Sequence, residues 1–207
     1  MNKSVLIVLM VFHLCLSAKA QRNDFLTVVS PALSKFLVEH PAAFKILAKT
    51  DAFTNRTIEV YYFYTEDEAR AKASHSFPSA SEVVFHIREN QEPADEFLCL
   101  IYEFINSEND EHFGELIKMA KSGSIARDVF AKKVVEAEFK AAKTLRDMLP
   151  AFKFTDKETA QSAYYKKFKN TPDNYDAFIA YGQRLNSPHR DVVKEYEATY
   201  DRLRKSK

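Results

Sequence analysis

The chain is expected to fold as one α+β domain, predominantly helical. Three observations carry this: long stretches repeat apolar residues at helical spacing, two short aromatic and β-branched runs alternate as strands do, and no repeat or low-complexity linker divides the remainder. Residues 21–50 come first. Phe36, Leu37, Phe44, Leu47 and Ala48 recur at helical spacing, and Pro41 splits the segment into two short helices. Thr57 to Thr65 reads as a strand with Ile58, Val60, Tyr62 and Tyr64 on one face. Glu66 to Ser79 is polar and reads as a loop or short helix. Ser81 to Arg88 is a second strand, with Val83, Phe85 and Ile87 on one face.

A central apolar helix follows over residues 95–107, with Asp95 placed to cap it and the acidic run Glu108-Asn109-Asp110-Glu111 ending it. A short amphipathic piece spans Phe113 to Ala120. The longest helix then runs to Leu149, its stripe formed by Ile125, Val129, Val134, Val135, Phe139, Ala142, Leu145 and Leu149, and Pro150 stops it. Residues 156–205 are polar, Tyr-rich and helical in pattern.

The N-terminus sets the expected compartment. Lys3, the twelve-residue apolar run from Val5 to Leu16, broken only by His13, and Ala18-Lys19-Ala20 have the three parts of a secretory signal peptide over residues 1–20. The run is shorter than the ~20 residues that span a bilayer, so no stable membrane insertion is expected once it is cleaved. The remaining domain, residues 21–207, would be secreted or periplasmic. Loss of Lys3 and Lys19 takes 30 basic residues to 28 against 29 acidic, a net charge of −1, which argues against a nucleic-acid partner. Cys15 leaves with the signal, so Cys99 has no intramolecular partner and is expected to pack as a small hydrophobe. Gly114, Gly123 and Gly182 are isolated, which excludes a P-loop and a dinucleotide fingerprint. There is also no G-x-S-x-G elbow.

The centre of residues 95–107 has the layout H-E-x-x-H with both histidines replaced: Tyr102 and Asn106 hold the ligand slots and Glu103 remains. Zinc needs two imidazoles at that spacing on one helical face, with the glutamate as general base. The extended motif would place its turn at Asn109, where a left-handed residue ends the helix, and its third ligand at His112. His75 and His86 are too far apart in sequence for a local pair, and His86 falls on the polar face of its strand. Asn55-Arg56-Thr57 is a glycosylation sequon. Tyr164, Tyr165, Tyr175, Tyr181, Tyr196 and Tyr200 suit half-buried packing better than an aromatic binding face. The tail from Lys194 reads as a solvated helix.

On the strand, the Pro93-Ala94-Asp95-Glu96 helix start, Leu100-Ile101-Tyr102-Glu103-Phe104-Ile105-Asn106-Ser107 and the later Val135-Glu136-Ala137-Glu138-Phe139, the stretch Val83–Leu149 resembles the zincin-like metallopeptidase-type domains of secreted bacterial proteins. The resemblance implies a small sheet edge beside the central helix, a long second helix, and a downstream glutamate ligand, Glu138 or failing that Glu136. It implies zinc as the family's cofactor. With Tyr102 and Asn106 in the ligand slots, none is expected here, and Glu103 becomes a vestigial base. The expectation is then an exported, non-catalytic domain that binds a protein or peptide. The alternatives are an active hydrolase built on Glu103, Glu138 and His112, and a purely structural helical protein.

Overall fold

The computed structural model describes residues 24–50, 53–54, 56–64, 73–79, 82–89, 91–185 and 191–205, so the expected signal segment and Asn55 lie outside the described residues. Mostly helical, with a three-stranded sheet, the protein is α+β. The elements are α1 (Pro31–Glu39), α2 (Pro41–Leu47), β1 (Thr57–Phe63), β2 (Ala73–Ser79), β3 (Glu82–Arg88), α3 (Pro93–Ser107), α4 (Asp110–Ser122), α5 (Arg127–Phe152), α6 (Asp156–Gln161), α7 (Ala163–Lys169), α8 (Tyr175–Leu185) and α9 (Val192–Lys205). Among the described residues, no helix is long and apolar enough to cross a membrane.

Pro41 does divide the first helical segment, because it starts α2 at the position where its missing N–H costs nothing. The sheet order is β1-β3-β2, with β1 parallel and β2 antiparallel to β3. β3 takes the centre because Val83, Phe85 and Ile87 are fully buried on its inner face. Ile58, Val60 and Tyr62 of β1 pack on the same core, whereas Tyr64 lies past the strand end and is exposed. Residues 73–79, expected as loop or helix, form the edge strand β2. Their Ser-His-Ser-Phe-Pro-Ser composition carries little β-propensity, and pairing with β3 supplies what the local sequence lacks. The register shifts between Ser76 and Ser79, and Pro78 is tolerated there because the strand is at an edge.

α3 is buried along almost its whole length, as a helix apolar on most sides must be. Phe104 stacks on Phe85 of β3 at 4.3 Å between ring centroids, which fixes α3 against the sheet. Cys99 is buried as expected. A second lock holds the start of α3. Buried Glu96 accepts hydrogen bonds from Tyr62 Oη at 2.5 Å and Ser30 Oγ at 2.9 Å, so β1, α3 and the cap of α1 share one carboxylate. Burial raises the Glu96 pKa above the usual range, against those two donors.

Four expectations need correction. Asp95 does not cap α3: Glu92 stands at that position, with Pro93 opening the helix. Asp95 instead accepts from Ser162 Oγ and from the Tyr164 N–H at 3.0 Å, and so anchors the start of α7. Asn109 is not left-handed, having φ −93°, and the acidic run opens α4 at Asp110 because acids favour a helix N-terminus. Pro150 does not stop α5. It falls in the final turn, and the helix ends beyond Phe152 at Lys153, whose φ of 57° is left-handed. Val129 is 40 % exposed, and the buried stripe of α5 runs instead through Phe130, Ala131, Val134, Val135, Ala141, Leu145 and Leu149.

Candidate functional site

α3 presents Tyr102, Glu103 and Asn106 near one another because positions one turn apart share a helical face. α5 packs on α3 and carries Glu138 into the same region, 35 residues downstream. The meeting is electrostatic as well as spatial. Burial pushes the Tyr102 phenol well above its usual pKa, the charges of Glu138 and Glu103 add to that, and a hydrogen bond with Asn106 opposes it. Glu138 is half-buried as a residue, but its carboxyl end is desolvated and its pKa is pushed up to about 7. Desolvation is the main cause; the nearby Glu103 and Glu195 charges act in the same direction, and the Tyr196 hydroxyl and Lys167 act against them.

Each acid has a donor from elsewhere in the chain. Glu103 Oε2 lies 2.7 Å from His75 Nδ1, and His75 Nε2 lies 3.1 Å from Asp110 Oδ1. Both ring nitrogens therefore face carboxyl oxygens, an arrangement matched by the doubly protonated imidazolium with one N–H donor on each nitrogen. Burial alone would lower the His75 pKa, but the bonds to Asp110 and Glu103 outweigh it and hold the ring at about 9. The Tyr196 hydroxyl of α9 donates to Glu138 Oε1. Glu103 is thus neither solvent-facing nor paired with a local Lys or Arg. Asn106 Oδ1 and Asp110 Oδ2 are buried without a hydrogen-bond partner among the described residues, although Arg56 Nη1 stands 3.9 Å from the latter.

The other sequence candidates lie apart from this centre. His112 is exposed on α4, its ring beside Phe113. Glu136 faces Lys132 at 4.0 Å, with its side chain 41 % exposed. His86 stacks on Tyr61 across the sheet. Nothing in the sequence joins His75 and Asp110 to Glu103, or Tyr196 to Glu138, because each reaches the centre through tertiary packing and belongs to no spaced motif. The tyrosines Tyr164, Tyr165, Tyr196 and Tyr200 do pack on core clusters.

The donors present do not fit zinc. A phenol held above its usual pKa stays neutral, an amide oxygen is a weak ligand for a borderline-soft ion, and both carboxylates are engaged. Beyond the C-terminal end of α3 an open cleft of about 570 Å³ is lined by Lys49, Thr54, Arg56, Ser107, Glu108 and Glu111. Arg56 links that cleft to Asp110 and hence to His75. No protein-family model, curated protein or solved structure matches the chain.

Proposed function

We propose that the protein is an exported, zincin-like domain whose metal centre has become a hydrogen-bonded interior, and that it acts by binding a protein or peptide rather than by catalysis. The observation that carries this reading is the His75 imidazolium on Glu103: the motif glutamate is tied to a cation of its own chain. Two features support the zincin part, namely the edge strand β2 packed beside α3 and the arrival of Glu138 near Tyr102 and Glu103. The mixed-charge cleft from Lys49 to Glu111 suits an extended segment carrying both signs of charge.

The test is metal content and peptidase activity of the purified protein, set beside the variant Tyr102→His with Asn106→His. The natural chain is expected to hold less than stoichiometric zinc and to cleave no peptide. The variant supplies two imidazoles, with Glu138 as third ligand, and should gain zinc affinity visible by calorimetry, since structural zinc is worth on the order of 10 kcal/mol. Stoichiometric zinc in the natural chain, lost in Glu103→Gln or Glu138→Gln, would overturn the reading in favour of an active hydrolase.

A further inference from the structure

The C-terminal helix α9 differs from the rest of the fold in how it is held. None of its residues is fully buried. It rests on a small apolar cluster separate from the main core, in which Leu116 and Ala120 of α4, Ile125, and Phe130 and Val134 of α5 pack against Tyr196, Tyr200 and Leu203. Those three α9 residues recur at i, i+4 and i+7, the pattern of an amphipathic helix lying in a groove. The polar ties are peripheral. Arg127 bonds to Glu197 and Asp201 at 3.0 Å each with half its side chain exposed, and Tyr200 donates to the Ile125 carbonyl at 2.9 Å. Arg204 donates to the Lys121 carbonyl at 3.0 Å, a cation at the C-terminal end of α4. Gly123 makes room for this last contact, since a Cβ there would come within 2.7 Å of Arg204 Nη1. One α9 contact reaches inward, the Tyr196 hydroxyl on Glu138.

We propose that α9 is a displaceable closing segment: it fills a groove between α4 and α5 that accepts an amphipathic helix with this tyrosine face, and while seated its Tyr196 seals Glu138 from solvent. No α9 residue belongs to the main core cluster, so α9 can leave through a local opening while α3 and β3 stay packed. This inference does not depend on the proposed loss of metal chemistry, because it concerns how the interior is closed and not what it once held.

A fluorescein-labelled synthetic peptide of residues 191–205 tests it against the full chain and against Tyr196→Ala with Tyr200→Ala. In the natural chain the tethered α9 competes at high effective concentration, so the peptide binds weakly. In the double variant that competitor is weakened, and the peptide should bind at least about tenfold tighter by anisotropy. Equal binding to both proteins, or none to the variant, overturns the proposal. Should the variant lose hydrogen-exchange protection in α3, the natural chain alone decides. Its α9 amides must exchange through an opening that leaves α3 and α5 protected, with carbodiimide labelling of Glu138 rising in step. Exchange of α9 only together with the whole protein refutes the idea.

Discussion

His75 makes stability fall with rising pH in a window set by its own two partners. Its folded pKa of about 9 lies above the unfolded value of 6.5, so the folded state holds the proton over that interval and the unfolded state does not. The contribution is therefore complete below pH 6.5, is lost as pH rises through 9, and is absent above it. The interval between those two values corresponds to about 3 kcal/mol, a ceiling for a side chain that is 12 % exposed. Glu138 works in an adjacent window. Its raised pKa makes ionisation unfavourable in the fold, so it lowers stability as pH rises from 4.5 to about 7, with little further change above. Urea unfolding of the natural chain and His75→Gln, from pH 6 to 10, separates the two, because Glu138 cancels in the difference. The natural chain should exceed the variant by about 3 kcal/mol at pH 6, where removing the imidazolium leaves Glu103 and Asp110 poorly paired, and the gap should close towards pH 9.5. A gap that stays constant from pH 6.5 to 9 would refute the doubly protonated ring.

Two further outcomes follow from single contacts. Asp95→Ala removes a buried acceptor shared by Ser162 Oγ and the Tyr164 N–H, and should cost about 2–4 kcal/mol in urea unfolding, with α7 losing hydrogen-exchange protection first; a cost under about 1 kcal/mol would mean α7 needs no such anchor. Lys153→Gly relieves a left-handed backbone at the end of α5 and should raise stability by up to about 1 kcal/mol, read as a higher melting temperature; a lower one would show that the Lys153 side chain contributes more than its backbone conformation costs.

Elements whose pattern is local were legible in the sequence. Pro41 marks the α1–α2 break, Val83, Phe85 and Ile87 mark the buried face of β3, and the apolar run Phe97–Ile101 marks α3, because backbone chemistry and periodicity act within a few residues. β2 was not legible, since Ser74, His75 and Ser76 become strand only by pairing with Val84, Phe85 and His86. Nor was the end of α5, where Pro150 gives up one i→i−4 hydrogen bond and the burial of Phe152 in the core carries the helix past it. Periodicity also misjudged which residue of the adjacent pair Val129 and Phe130 faces inward, a choice made by α9 and α4, which pack against Phe130.

The same division runs through the candidate site. Tyr102, Glu103 and Asn106 could be grouped from spacing, and Glu138 from the long helix, because each is a position on a helical face. Their partners could not. A carboxylate kept in a packed interior needs a donor, since an unpaired buried charge costs several kcal/mol. Those donors must come from elements that pass by in space: His75 stands 28 residues before Glu103, and Tyr196 stands 58 after Glu138. The two acids are thus held by the two elements whose sequences say least about them, an edge strand of serines and a solvated-looking terminal helix. Changing either donor alters the electrostatics of the interior while leaving Tyr102, Glu103, Asn106 and Glu138 themselves in place.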